Sequence, residues 1–508
     1  MSGQRTRRGL GAATLALALA AGTTTGVAGA APQASEPPST PVPIATPEGQ
    51  LSSYVVNARK ANRQGTDEIR AVVREAGGTV VQQWPQIGVV IAHSTRADFR
   101  TDVTRLGRKS VESVGATRTT AVSEGTPGEE ATTLERSRGR SSSAPGVLKK
   151  QFADTAEQYV QPDPREGEQW DMAMIKADHA QEITDGSRRT LVGVLDSGID
   201  HDHPDLAENI DVARSVNCSD AGRVDRSATG WHPTTSDHGT HVAGTIGAAR
   251  NGVGIVGVAP NVRMASVKVV NDDGYIYPEY AICGFMWAGL KGMDVTNNSY
   301  YIDPFAYWCD DQADQQAVLE GVGRAVQWST KQGTFHVAAA GNAATDLSNN
   351  TTDTSSPNDS TAVERTINQG CLDIPTEFEG VATVSSFARI GETRESQLSY
   401  FSNRGLGVID VAAPGSSILS TITRDNGYGL KSGTSMASPH VAGVAALLVS
   451  EHPSWKPKKL LATIRAQADD RPCAPQQPRP NPGAECVGTT AENSYAGEGM
   501  VDALDAVR

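Results

Sequence analysis

"KSGTSMASPHVAGVAALL", residues 431–448, sets small and polar residues around Ser435 and runs straight into an apolar, alanine-rich stretch. Val441, Val444, Ala445 and Leu448 recur at three- and four-residue spacings, so the period predicts a buried helix from Met436 to Val449. Ser435 falls at its start, where unpaired backbone N–H groups favour a developing negative charge. A serine hydroxyl is a weak nucleophile until a general base lies within hydrogen-bond reach, and Gly433 and Thr434 leave one side uncrowded. A plain helix cap would also suit this serine. The rest of the chain has to decide between the two.

From about Gln169, short apolar strands alternate with helices. The strand candidates are "RTLVGVLDSG", "RMASVKVV", "MDVTNNS", "TFHVAAAGN", "VATVSSF" and "VIDVAAPG"; helices are expected around His241, Ile282, Val322 and Val441 and in "KPKKLLATIRAQA". Such alternation argues for an α/β unit with a parallel sheet and helices on both faces. Functional residues of that architecture gather at the carboxyl ends of strands. "LVGVLDSGIDHDHPDL" ends an apolar strand at Asp196, and "SDHGTHVAGTIGAA" sets His238 just before a helix. Imidazole exchanges protons near neutral pH, and a buried carboxylate can hold its tautomer, so Asp, His and Ser together make an acyl-transfer site.

Four stretches, "VLDSGIDHDHPDL", "DHGTHVAGT", "AAAGN" and "GTSMASPHVAG", resemble the subtilisin-like serine proteases, in that order and over essentially all of residues 165–508. The resemblance implies Asp196 as orienting acid, His238 as general base and then acid, and Ser435 as nucleophile. It further implies an oxyanion hole from the Asn342 amide and the Ser435 N–H, with no cofactor for catalysis. "GTSMA" is close to the G-x-S-x-G elbow of α/β-hydrolases, but that fold orders its residues Ser, Asp, His, whereas the order here is Asp, His, Ser. A catalytically silent binding protein on the same fold is the other alternative, and the filled chemical positions count against it. His238 with His241, or His201 with His203, could pair on a metal, yet no glutamate sits between the first pair and no cysteine lies near, so His241 reads as a packed helix residue.

By the same resemblance, Ser299, Tyr300 and Tyr301 form one wall of the pocket for the residue preceding the scissile bond, and the strand carrying Ala340 and Gly341 forms the other. Tyr300 and Tyr301 stand where leucine and glycine are often found. If Pro375 matches the family's proline before the next strand, Asp373 lies at the pocket floor and favours Lys or Arg. A structural calcium site is implied at Asp205, with the Asn251 side chain and the carbonyls of Ala249, Val253 and Ile255.

The chain has 508 residues, more than one core usually needs. Residues 1–30 carry Arg5, Arg7 and Arg8, then a leucine- and alanine-rich stretch and a small-residue "AGA", the pattern of a secretory signal peptide. Residues 31–50 form a Pro-, Ser- and Thr-rich leader. Residues 51–122 alternate strand and helix patterns as a split β-α-β unit, an α+β ferredoxin-like fold. Its place before the enzyme resembles the inhibitory propeptide of these proteases, which implies folding assistance and then occupation of the active site. Residues 123–164 lack apolar periodicity and read as linker and maturation region, and 165–508 as the catalytic domain.

Residues 1–150 hold 19 Lys and Arg against 12 Asp and Glu, while the remainder holds 26 against 46. That acidic balance disfavours nucleic acid as a partner of the second part and could attract the basic first part. The expected partners are peptide or protein substrates and the chain's own propeptide. A monomer without membrane anchor, secreted to the extracellular space, is expected. Six cysteines in an exported chain suggest disulfides; Cys473 and Cys486 flank a proline-rich loop and are expected to staple it, with the other pairings open.

Overall fold

The computed structural model describes residues 36–125, 162–393, 395–473 and 485–508. The signal-peptide reading and most of the linker reading lie outside these residues, and every element named below belongs to the compact unit Pro38–Arg508.

The front of the chain forms β1 (Ser52–Ala58), α1 (Arg63–Glu75), β2 (Thr79–Trp84), β3 (Val89–Ser94), α2 (Phe99–Leu106) and β4 (Val111–Ala116). The strands pair antiparallel in the order β2-β3-β1-β4. Asn62 starts α1 by accepting the N–H of Gly65 at 2.9 Å, which satisfies one of the helix's unpaired donors. Alternation along β1 sends Tyr54 against Phe99 of α2, with ring centroids 4.6 Å apart, and turns Val55 and Asn57 the other way, toward Gly321 of the second unit.

The second unit is built on β5 (Leu191–Asp196), β6 (Val216–Asn217), α3 (His238–Gly247), β7 (Arg263–Lys268), α4 (Pro278–Lys291), β8 (Val295–Asn298), α5 (Ala313–Gln332), β9 (Phe335–Ala339), β10 (Val381–Arg389), β11 (Ser396–Leu398), β12 (Val411–Pro414), α6 (Thr434–Glu451) and α7 (Pro457–Gln467). The sheet order is β11-β10-β9-β8-β5-β7-β6, with β12 also on β10; all pairs are parallel except β10 with β11. Period-two alternation fills two cores. Leu191 and Leu195 of β5 pack with α4 and α5 on one face, and Val192 and Val194 pack with α3 and α6 on the other. Each β-to-α crossover therefore leaves the carboxyl ends of β5, β8 and β9 on one rim, with the amino ends of α3 and α6 above them.

The structure moves one predicted boundary. α6 begins at Thr434, not Met436, and its N-cap is Gly433, with no side-chain capping bond. Ser435 is thus the second residue inside the helix and does not cap it. Three disulfides join Cys218 to Cys283, Cys309 to Cys371, and Cys473 to Cys486, the last as expected from sequence. No helix among the described residues is long and apolar enough to cross a membrane.

Candidate active site

Asp196 ends β5 and is 2% exposed. Its carboxylate accepts the Ser197 N–H at 2.7 Å and meets Nδ1 of His238, the first residue of α3, at 2.8 Å and 3.0 Å. Close approach of helix to strand depends on Gly239, where a Cβ would lie 2.4 Å from the Gly198 carbonyl oxygen. Burial disfavours the charged imidazolium, but the neighbouring Asp196 charge and hydrogen bond outweigh it and raise the His238 pKa above its ordinary value. The ring is 31% exposed, so its other nitrogen stays open to the cleft.

Across that cleft, Ser435 is held by a reciprocal pair with Ser299 at the end of β8. The Ser299 hydroxyl donates to the Ser435 carbonyl at 2.9 Å, and the Ser435 hydroxyl donates to the Ser299 carbonyl at 3.3 Å. The helix makes this possible. Pro439, four residues on, has no N–H to give the Ser435 carbonyl, so the first turn of α6 carries an acceptor that Ser299 satisfies.

Asn342 completes the rim. Its Oδ1 accepts both the Thr434 N–H, at 2.8 Å, and the Thr434 hydroxyl, at 2.9 Å, which leaves Nδ2 as a donor beside Gly433. Neither Asn342 Nδ2 nor the Ser435 N–H has an acceptor among the described residues. The turn is shaped by Gly341, at φ +100°, where a Cβ would fall 2.4 Å from Asn403 Nδ2. Asn403 is 2% exposed and lashes the loop, donating to the Ala340 carbonyl at 2.7 Å and accepting from Ala343 and Thr345 at 3.0 Å each. Sequence reading missed Asn403, since nothing in "SNRG" marks it. It also missed the Thr434 side chain.

Beside the Asp196–His238 pair, a cleft of about 230 Å³ is lined by Asp196, His238, Ile276, Ser299 and Tyr300. Tyr300 donates to Asn298 Oδ1 at 3.1 Å, and burial with the Asp196 charge pushes its phenol well up. Tyr301 does not line this cleft; its hydroxyl accepts from Asn358 at 2.9 Å. His241 is buried, with Nε2 between the carbonyls of Ile418 and Gly429 at 3.1 Å each; burial pushes its pKa down to about 4.

Residues 187–495 match the Subtilase family, peptidase S8. Over 350 residues the chain is 32% identical to Subtilisin E of Bacillus subtilis (strain 168), covering 68% of this chain and 72% of that protein. The chain is a member of the Subtilase family. As a subtilase it is a hydrolase of the serine endopeptidase class. It is also 34% identical to the Subtilisin of Bacillus pumilus over 286 residues, 56% of this chain and 85% of that one. Two solved structures share the fold. Fervidolysin from Fervidobacterium pennivorans, a keratinolytic enzyme related to subtilisin, gives a TM-score of 0.61 at 22% identity, over 91% of this chain and 61% of that chain. Epidermin Leader Peptide Processing Serine Protease from Staphylococcus aureus gives 0.61 at 20% identity, over 90% and 98%.

The loop expected to hold calcium offers a fitting donor set in this subtilase. Asp205 is fully buried; Oδ2 accepts the Ile255 N–H at 3.0 Å, while Oδ1 is sealed in without a partner, and burial pushes the carboxyl up to about 6. The carbonyls of Ala249, Val253 and Ile255 accept no hydrogen bond among the described residues, and Asn251 Oδ1 accepts the Val253 N–H at 3.1 Å. An orphaned carboxylate oxygen with free carbonyls nearby in the fold is the all-oxygen environment that suits Ca²⁺. The Tyr428 hydroxyl lies beside the same carboxylate.

Proposed function

We propose that the chain is a secreted serine endopeptidase that cuts peptide bonds through an acyl-enzyme and is made as a self-processing zymogen. The observation that carries the reading is one rim shared by a carboxylate-bound imidazole, a helix-borne serine and two donors without acceptors. Ser435 Oγ, once rotated from the Ser299 carbonyl, attacks the scissile carbon. His238 Nε2 takes the proton and later gives it to the leaving amine, while Asp196 holds the Nδ1–H tautomer and stabilises the imidazolium. The oxygen that gains charge is held by Asn342 Nδ2 and the Ser435 N–H, and the amino end of α6 adds a favourable field.

Residues 51–122 act as the inhibitory prosegment. Their support is the contact with the amino ends of two helices: Asp314 of α5 accepts the Ala116 N–H at 2.9 Å and pairs with Arg100, and Glu279 of α4 accepts from Ser53 at 2.9 Å and pairs with the buried Arg118. Residues 123–164 would then be the region cut on maturation, and 165–508 the free enzyme. Asp205, Asn251 and the carbonyls of Ala249, Val253 and Ile255 would hold a structural calcium, which supplies charge compensation to the loop and no chemistry. Secretion rests on the amino-terminal signal pattern and on three disulfides, which persist in oxidising compartments. Ser435→Ala tests the whole reading: it is expected to fold with an unchanged Tm, to hydrolyse no casein, and to remain uncut between residues 123 and 168. Normal casein hydrolysis by this variant contradicts it.

A further inference from the structure

Asp373 is a buried acid that the proposed mechanism leaves unused. It is 6% exposed; Oδ1 is sealed from water, and neither carboxylate oxygen has a hydrogen-bond donor among the described residues. Its own N–H donates to Glu377 Oε2 at 2.8 Å, so a second buried carboxylate stands behind it. Burial, and then the Glu377 charge, push the Asp373 carboxyl well above its ordinary range, and none of the groups acting on it is cationic. An arrangement of this kind is costly unless a partner completes it.

Its position says what the partner is attached to. The segment after Ser299 is tied to the Asp373 segment by the Ile302 N–H on the Ile374 carbonyl at 3.0 Å. β9 is tied to it from the other side by the Thr376 hydroxyl on the Ala339 carbonyl at 2.9 Å, and Asp373 Oδ2 lies 3.6 Å from where a Gly341 Cβ would be. Asp373 therefore lies between Ser299–Tyr301 and Ala340–Gly341, the two segments that flank Ser435 and that the proposed mechanism makes the walls of a trough for the residue before the scissile bond. A peptide whose carbonyl carbon meets Ser435 Oγ, with its oxygen at Asn342, drops the side chain of that residue into this trough. The Cys309–Cys371 disulfide, two residues before Asp373, fixes the floor to the segment that bears the first wall.

We infer that Asp373 is the specificity-determining residue of this enzyme and that it selects substrates with Lys or Arg immediately before the scissile bond. This rests on the serine endopeptidase reading above. A guanidinium or ammonium entering the trough supplies the missing donors and the opposite charge together, whereas an apolar side chain leaves the carboxyl buried and unpaired. The tether between prosegment and enzyme contains suitable sites, with Arg136, Arg138, Arg140, Lys149 and Lys150 between residues 126 and 161.

The test uses the mature enzyme, titrated with a serine-directed phosphonate to count active sites, on a peptide series that differs only in the residue before the cut: Arg, Lys, Gln, Leu, Phe. Arg and Lys are expected to exceed Leu and Phe at least tenfold in kcat/KM. Asp373→Asn, nearly isosteric, should lose about 100-fold on Arg and Lys and change little on Leu and Phe. Glu377→Gln should keep the basic preference, since that carboxylate touches the Asp373 backbone and not the trough. If labelled enzyme cleaves Leu or Phe peptides as well as basic ones, or if Asp373→Asn keeps the wild-type preference, the inference is overturned while the protease reading stands. If no active site is labelled and no peptide is cut, the protease reading falls and this one falls with it.

Discussion

At the scale of single residues, the proposed mechanism divides proton handling from charge stabilisation, and each half makes a separate prediction. His238 acts as a base only when neutral, and Asp196 raises its pKa above the ordinary 6.5 or so. kcat/KM should therefore rise with pH through a midpoint above that value. Asp196→Asn removes the charge and leaves burial dominant, so the midpoint should fall, and kcat should drop by about 10⁴-fold because the tautomer is no longer held. A pH–rate profile of the two proteins reads both changes; an unmoved midpoint contradicts the coupling. Asn342→Ala bears on the other half. In the proposed mechanism its amide acts on the oxygen that gains charge in the transition state, so kcat should fall by about 10² to 10³ with KM nearly constant. Steady-state kinetics in which KM alone changes would contradict the role given to Asn342.

At the scale of elements, the devices that aim these groups are steric and local. Gly341→Ala places a methyl group 2.4 Å from Asn403 Nδ2 at a positive φ, so the Asn342 turn must shift. It is expected to lose more than tenfold in kcat and about 1–3 kcal/mol of stability, read by turnover and urea unfolding. The Asp205 loop, if it holds calcium as proposed, predicts the opposite kind of effect. Calcium should raise the Tm and a chelator lower it, and Asp205→Asn should abolish the difference; identical melting with and without chelator in the parent protein would count against the site.

These elements also mark what the sequence could reveal. The long parallel strands and the buried helices were legible because periods of two and of three to four survive in "LVGVLD" and "VAGVAALL". The four motif stretches were legible as strand ends and helix starts, because each sits where an apolar period stops or begins. β6, β11 and the Ile418–Ile422 hairpin with Gly427–Lys431 were not, since two- to five-residue strands are defined by their pairing partners and leave little pattern of their own. The start of α6 was misread by two residues because Thr434 and Ser435 carry no apolar periodicity. Asn403 escaped notice because its role lies in contacts 58 to 63 residues away along the chain.

At the scale of the whole molecule, the basic front segment meets the acidic remainder through the acids at the amino ends of α4 and α5. Arg118 is 3% exposed, bridging Glu279 and Glu124 while lying 3.9 Å from the centre of the Tyr277 ring. Removing one partner of such a buried network leaves the other charge unpaired, so Glu279→Ala should weaken inhibition by separately added residues 51–122 by at least tenfold. Inhibition assays on the mature enzyme measure this, and unchanged inhibition would place the prosegment's grip elsewhere. Ser435 as the nucleophile of a peptide-cleaving enzyme is tested by mass spectrometry of the protein after reaction with a phosphonylating serine reagent. The account predicts one adduct per molecule, mapped to Ser435, with casein hydrolysis lost in proportion to labelling. An adduct elsewhere, or full labelling of Ser435 with hydrolysis intact, would contradict it.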